Sequence, residues 1–327
     1  MSYLVRRLGF FAATFWAALT INFFLPRMMP GNPAQAMMSR FKGDVNPQSV
    51  KALQIAFGLD THDSLPVQYV QYLNNVFHGR FGDSLTNFPT PVSQVVLTAL
   101  PYTLGLIGIT TIISFMLGTL AGMISAWRRG GITDALLPPA FVIISAFPYF
   151  WLGLLGIYVF SVILGWFPLG FAVDVGVTPY LSWSFIGQLL YHAVLPSMTI
   201  IVTSIGGWIL TMRNNMISTL SEDYVRMARA KGLSSMRIMI LYAGRNAVLP
   251  NVTGFAMSLG FVLSGALLTE YVFTYPGVGD LLYQAVVNED YPLMQAIFLL
   301  ITVAVLLAVL ASDLVNALLD PRTRERA

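Results

Sequence analysis

The sequence contains six apolar stretches with almost no charged side chains. A helix needs about 20 apolar residues to cross the hydrocarbon core of a bilayer, and each stretch is long enough to do so. The stretches cover residues 8–26, 101–123, 136–165, 193–212, 250–270 and 292–310. They predict an all-α polytopic membrane protein with six transmembrane helices.

The composition excludes several other classes of protein. Hydrophobic residues make up 56% of the chain and charged residues only 10%, with a mean hydropathy of +0.70. A soluble protein carries about 25% charged residues, so soluble enzymes and disordered scaffolds are excluded. No run of basic residues is long enough for a nucleic-acid arm, and we expect no nucleic-acid partner. The sequence has no cysteine, which excludes disulfides, thiolate metal sites and a cysteine nucleophile.

The basic residues predict the orientation of the spans. With six spans and both termini inside, only five of the eighteen Lys and Arg residues fall in outer segments. This asymmetry obeys the positive-inside rule. The charge-free segment Thr178 to Tyr191 is an alternative seventh crossing, but its Pro179, Ser182 and Gln188 favour an interfacial segment. The five outer basic residues are Arg27, Arg40, Lys42, Lys51 and Arg80.

Two hydrophilic regions divide the chain. Residues 1–29 contain the N-terminus and the first span, and residues 30–98 form an extended outer loop whose aromatic residues favour a folded cap. Residues 99–327 contain the other five spans and an inner loop at 213–249.

The inner loop reads as a helix, a glycine turn and a second helix. Ser221 is suited to cap the first helix, with Glu222 and Asp223 in its first turn. Gly232 ends that helix, since glycine adopts the left-handed conformation at helix ends. Ser234 or Ser235 then caps a second helix, over residues 236–247.

The run from Asp223 to Leu233, followed by Arg245-Asn246-Ala247, resembles the EAA-type coupling loop of binding-protein-dependent ABC importer permeases. More narrowly, it is similar to the peptide/nickel permease family, over nearly the whole chain. The sequence departs from the pattern in two places: the EAA triad reads Arg226-Met227-Ala228, and Tyr242 stands where the family has a histidine. Other motifs carry the likeness in the same order: Pro30-Gly31-Asn32-Pro33, Gly79-Arg80-Phe81-Gly82-Asp83-Ser84, Phe147-Pro148-Tyr149-Phe150-Trp151, Leu195-Pro196, Glu270 to Gly279 and Asp320-Pro321-Arg322.

The resemblance implies a type I ABC importer permease in a bacterial or archaeal inner membrane. It implies a second homologous permease subunit, one or two ATPase subunits and an extracytoplasmic substrate-binding protein as partners. The chain has no Gly-rich sequence ending in Gly-Lys-Ser/Thr, so we expect ATP and Mg on the ATPase subunits and no cofactor on this chain. The residues implied to couple to the ATPase are Asp223, Tyr224, Arg226, Ala228, Lys231 and Gly232.

The spans offer few candidates for chemistry. We expect no catalytic residue and no metal site, because His62, His78 and His192 lack partners at metal-ligand spacing. Glu270 is a candidate for a gate, since an acid in a membrane segment is a functional candidate by default. Ser145 and Tyr149 are candidates for the pathway, and five further polar residues could border a cavity: Thr199, Thr203, Asn251, Thr253 and Ser258.

The favoured function is that of a permease subunit that passes a small solute, with dipeptides or oligopeptides as the first choice of cargo. Nickel chelates and oligosaccharides are alternatives in the same family. An ion-coupled secondary transporter and an intramembrane enzyme are the rival classes. An ion-coupled transporter more often carries charged residues in the middle of its spans. An intramembrane enzyme needs a motif such as His-Glu-x-x-His, which this sequence lacks.

Overall fold

The computed structural model describes residues 2–28, 63–177, 182–263 and 267–319. These residues are helical almost throughout, and two of them, Asp83 and Pro91, form an isolated β-bridge. They fall into two compact units, one drawn from residues 1–103 and 276–306 and the other from residues 104–275 and 307–327. An all-α fold with several apolar helices was the prediction, and it is confirmed.

The described helices, in chain order, are α1 Ser2–Met28, α2 Leu65–Phe77, α3 Val92–Trp127 (π-helical over Leu104–Gly108), α4 Ile132–Ser145, α5 Tyr149–Ile163 (π-helical over Ile157–Ile163), α6 Trp183–Leu220, α7 Asp223–Ala230, α8 residues 235–247 (π-helical over Ile238–Gly244), α9 Leu249–Gly260 with a 3₁₀ turn Phe261–Leu263, α10 Leu267–Val272, α11 Val278–Val287 and α12 Tyr291–Leu319.

Three described helices are long and apolar enough to cross a membrane, namely α3, α6 and residues 291–313 of α12. They contain the predicted second, fourth and sixth spans. The predicted first span coincides with a shorter apolar helical stretch, Gly9–Leu25. The fifth is divided between α9 and α10, and residues 264–266 between them lie outside the described part of the chain. The count of six spans stays a prediction.

The third predicted span coincides with a pair of helices that are long and apolar enough to cross a membrane only when taken together. It consists of α4 and α5, whose axes are bent by 94° at residues 146–148. Pro148 has no N–H and therefore cannot continue the hydrogen-bond ladder of α4. It takes the N-cap position of α5 instead.

The fourth span begins earlier than predicted. Helix α6 starts at Trp183, where the side chain of Ser182 accepts a hydrogen bond from the backbone N–H of Phe185. Leu195-Pro196, which lies near the predicted start of the span at residue 193, is buried inside this helix. Residues 183–191 belong to the same helix, so they are not a separate crossing, and residues 178–181 lie outside the described chain.

In the first unit, a buried carboxylate fixes the outer-loop motif. Asp290 is fully buried and accepts hydrogen bonds from Ser84 Oγ at 2.6 Å and from the backbone N–H of Thr86 at 2.8 Å. It also accepts one from the backbone N–H of Leu293, in the first turn of α12. The motif that ends in Ser84 is thereby joined to the start of α12. The motifs at residues 30–33 and 320–322, and the outer loop up to residue 62, lie outside the described residues.

In the second unit, α3 and α6 pack closely through glycines. A Cβ atom at Gly122 would lie 2.5 Å from the carbonyl oxygen of Ile209 and 2.9 Å from Met212 Cβ. At Gly118 it would collide with Trp208 Cβ. Only residues without a Cβ permit this approach.

Candidate functional site

Helix α7 begins one residue later than the sequence predicted. Its N-cap is Glu222, which makes no side-chain capping bond. The expected cap, Ser221, is the wrong residue, because it still has helical backbone angles at the end of α6. Its hydroxyl donates to the carbonyl oxygen of Ser218 at 2.7 Å and is therefore committed to α6.

The predicted end of α7 is confirmed. Gly232 has φ = +72°, in the left-handed region that favours glycine. Its N–H donates to the carbonyl oxygen of Arg229 at 3.0 Å, and the N–H of Leu233 donates to that of Ala228 at 3.3 Å. This pair of bonds is a Schellman motif, and it turns the chain sharply before α8.

The inner face of α7 is built into the core of the second unit. Val225 is fully buried and Ala228 is 2% exposed. The cluster that surrounds them comes from the ends of α3 and α6 and from α8: Ala126, Met212, Met216, Ile238, Ala243 and Ala247. A force on α7 is therefore transmitted to α3 and α6, because close-packed side chains do not yield freely.

The outer face of α7 is polar and exposed. The side chains of Asp223 and Arg226 are 99% and 69% exposed and lie 3.6 Å apart. Tyr224, Lys231 and Gly232 are exposed as well. Five of the six residues implied by the resemblance are thus exposed, whereas Ala228 packs inside. The role of this surface in coupling stays a prediction.

Helix α8 adds a groove beside α7. Asn246 Nδ2 donates a hydrogen bond to Tyr224 Oη at 2.7 Å and joins the two helices. The groove, called here the α7–α8 groove, has a volume of about 380 Å³. It is lined by Tyr224, Leu241, Tyr242, Arg245, Asn246 and Leu249. Tyr242, which stands where the family has a histidine, therefore lies in the wall of the groove.

The base of the loop is held by an ion pair that the sequence did not reveal. Arg213 donates from Nε and Nη2 to the two carboxylate oxygens of Asp134, with the second distance 3.1 Å. Asp134 also accepts from the backbone N–H of Gly130 at 3.0 Å. The bidentate pair ties the first turn of α4 to α6. The two residues are 79 positions apart, so no local pattern could have paired them.

A cavity of about 480 Å³ lies where α4 breaks into α5. Its polar residues all carry hydroxyl groups: Thr111, Ser145, Tyr149, Thr203, Ser204 and Ser258. The apolar part of the wall includes Ile107, Phe147, Ile200 and Val262. Four of the hydroxyls already donate to backbone carbonyls of their own helices and keep only acceptor capacity for a ligand: Ser145, Thr203, Ser204 and Ser258. The cavity therefore suits an uncharged polar solute that carries N–H or O–H donors, such as the amides of a peptide.

The structure brings four of the polar residues singled out in the sequence, Ser145, Tyr149, Thr203 and Ser258, to the wall of this cavity. Thr199 and Asn251 are buried elsewhere, where Asn251 donates to Thr119 Oγ1 at 3.0 Å. Glu270 is fully buried and is not among the described residues of the wall. Its backbone carbonyl accepts from the N–H of Tyr275 at 2.7 Å, which closes the following turn. The pathway and gate roles stay predictions.

Histidine does not form a metal centre in the described part of the chain. His192 is buried, with its ring nitrogens 3.0 Å from the carbonyl oxygen of Gly170 and 3.3 Å from Asp174 Oδ1. His78 Nδ1 lies 2.7 Å from the carbonyl oxygen of Asn74, and His62 is outside the described residues. No group of three His, Cys, Asp or Glu residues in the described ranges could hold a metal ion.

Comparison with known proteins matches both parts of the chain to one group of transport proteins. Residues 118–325 match the family described as binding-protein-dependent transport system inner membrane component, and residues 1–107 match its N-terminal component. The chain is 34% identical to the di/tripeptide transport system permease protein DppB of Pseudomonas aeruginosa, over all of this chain and 99% of that protein. It is 32% identical to the oligopeptide transport system permease protein AppB of Bacillus subtilis, over 98% of both. It is 30% identical to the dipeptide transport system permease protein DppB of Escherichia coli, over all of this chain and 99% of that protein.

Proposed function

The chain belongs to the family of binding-protein-dependent transport system inner membrane components, and on that premise we propose that it imports short peptides with energy from separate ATPase subunits. As a member of that family it is a permease subunit of the cell membrane, which works with ATPase and binding-protein components. We further propose its cargo, its coupling surface, the composition of the complex and the orientation of the chain in the membrane.

The observation that carries the proposal is the two-sided construction of α7. Its outer face exposes Asp223, Tyr224 and Arg226, whereas its inner face buries Val225 and Ala228 against α3 and α6. A helix with one exposed face and one packed face can act as a lever between a soluble ATPase subunit and the membrane helices. The exposed side binds the ATPase, and the packed side passes its displacement on.

Transport requires the membrane helices to switch between two packing arrangements. ATP binds with Mg on the ATPase subunits, which close and move α7. Because α7 is packed onto α3 and α6, its displacement tips the permease pair from an inward-facing to an outward-facing arrangement. Hydrolysis resets the pair, as in other rigid-body switches.

The complex contains a second, homologous permease chain and one or two kinds of ATPase subunit. Both termini and the loop at 213–249 face the cytoplasm, in keeping with the basic residues of that side. The outer loop helps to receive the substrate-binding protein, with the buried Asp290 holding its Ser84 end in place.

Short peptides are the cargo that best suits both the relatives and the cavity. The relatives are named for dipeptides, di/tripeptides and oligopeptides. The hydroxyl oxygens of Ser145 and Thr203 can accept hydrogen bonds from peptide N–H groups, since their own protons go to backbone carbonyls of their helices. The Tyr149 hydroxyl, which also lines the cavity, can in addition donate to a peptide C=O.

Purification of the tagged chain in mild detergent from its own membranes tests the assembly. We expect a second permease chain and at least one ATPase to co-purify, and the preparation to hydrolyse ATP. A chain that purifies alone, without ATP hydrolysis, from cells that still import peptides through it would contradict the proposal.

A further inference from the structure

The α7–α8 groove presents hydrogen-bond donors that have no partner among the described residues. Tyr224 Oη accepts the hydrogen bond from Asn246 Nδ2, so the hydroxyl proton of Tyr224 remains available for another acceptor. Arg245 is exposed and has no described carboxylate within ion-pair distance. A guanidinium group only donates and binds a carboxylate in bidentate fashion, so the groove is complementary to a carboxylate.

The surroundings of the groove are basic. The exposed residues of α7, α8 and their connection include five basic side chains against two acidic ones, Glu222 and Asp223. The potential of this surface attracts an acidic partner and raises its rate of association. The five basic residues are Arg226, Arg229, Lys231, Arg237 and Arg245.

The position of the groove favours a protein carboxylate over a lipid headgroup. Its Tyr224 wall belongs to α7 and adjoins Asp223, whose side chain is 99% exposed. An anionic lipid surface repels this carboxylate, whereas a folded protein can place a basic residue opposite Asp223 and an acidic one opposite Arg245. The groove is also continuous with the exposed face of α7, where the ATPase is proposed to bind.

We propose that the α7–α8 groove binds an aspartate or glutamate side chain of the ATPase subunit, with Arg245 as its ion-pair partner and Tyr224 as a second donor. The inference rests on the proposed function and adds an anchor on α8 to the contact made by α7. The Asn246–Tyr224 hydrogen bond joins α7 to α8 next to Arg245, so the anchor and the coupling helix move together.

The test measures how much ATPase is retained by the immobilised, detergent-solubilised complex as the salt concentration rises. Arg245→Glu should weaken retention by about tenfold or more, as expected for reversal of a charge in a close ion pair. Arg245→Lys should retain more ATPase than Arg245→Glu, because the charge is kept and only the bidentate geometry is lost. Arg237→Glu is the matched control, since Arg237 is exposed on the same helix but does not line the groove.

Equal retention by Arg245→Glu and Arg237→Glu would overturn the inference while leaving the proposed function in place. A wild-type chain that retains no ATPase would overturn both. If the Arg245→Glu defect occurs only in vesicles that contain phosphatidylglycerol, and vanishes in detergent, the groove binds a lipid headgroup and the inference is wrong.

A cross-linking experiment remains decisive if Arg245→Glu fails to fold. Since the chain has no cysteine, Leu241→Cys places a single thiol in the wall of the groove. A short thiol-to-carboxylate cross-linker should join it to an acidic residue of the ATPase. Cross-links to the ATPase from Ser234→Cys, which lies outside the groove, but none from Leu241→Cys would contradict the inference.

Discussion

At the scale of single residues, the close approach of α3 and α6 depends on glycines, which have no side chain. Gly122 faces the backbone of α6 with no room for a Cβ atom, whereas Gly207 on α6 has open space around it. The two glycines therefore form a matched pair for substitution by alanine.

Gly122→Ala should destabilise the chain by about 1–3 kcal/mol, because an inserted methyl group in a packed interface forces the helices to shift. Gly207→Ala should be neutral, since its methyl group meets nothing within 4 Å. Thermal unfolding of the purified chain in detergent measures both. Equal unfolding temperatures for the two variants would show that the α3–α6 contact is looser than described.

Arg213 and Asp134 join two helices at the base of the loop. Loss of one partner should cost about 1.5–3 kcal/mol, in the range of hydrogen bonds to charged groups, because the side chains are only 24% and 8% exposed. Unfolding of Arg213→Gln, Asp134→Asn and the double variant gives the interaction energy. Strictly additive losses would mean that the pair contributes nothing beyond its separate residues.

At the scale of helices, the turn after α7 depends on one backbone conformation. Gly232 has φ = +72°, and a Cβ atom there would meet nothing within 4 Å. A substitution therefore acts through the backbone alone, at a cost of about 1–2 kcal/mol for a residue that avoids the left-handed region.

Gly232→Val should insert normally but uncouple ATP hydrolysis from uptake, because the strained turn shifts α7 against α8. Gly232→Asn should behave almost like the wild type, since asparagine tolerates this conformation. Peptide uptake per ATP hydrolysed, at equal membrane abundance, distinguishes the variants. Normal uptake by Gly232→Val would contradict this account of the turn.

The helical organisation of the loop could be predicted because its signals are local. Gly232 ends α7 as its position indicated, yet the cap moved from Ser221 to Glu222, because α6 continues to the end of its own last turn. The bend at Pro148 was not predicted from the sequence. Proline alone does not reveal where a helix bends, since Pro138 and Pro139 lie inside α4 without breaking it.

Contacts between distant residues could not be predicted from one sequence. Asp290 and Ser84 are 206 positions apart, and Asn246 and Tyr224 belong to different helices. The cavity was predictable in part, because polar residues in apolar stretches stand out. Which of them would face it depended on the bend between α4 and α5.

At the scale of the whole molecule, the proposed transport pathway and the proposed coupling surface are formed by different residues. Thr203 lines the cavity, whereas Thr211 lies eight residues further along α6 and is exposed. Thr203→Phe should reduce peptide uptake at least tenfold by filling the cavity, and ATPase retention should stay normal. Thr211→Phe serves as the control, and equal uptake by the two variants would argue against this cavity as the path.

Transport by the purified complex in proteoliposomes shows whether ATP supplies the energy for uptake. They would contain the purified complex, with the binding protein and a labelled dipeptide outside and either ATP or no nucleotide inside. We expect uptake that requires internal ATP and continues when ionophores remove all ion gradients. Uptake that continues without ATP and stops when a proton or sodium gradient is removed would contradict this expectation and identify an ion-coupled transporter.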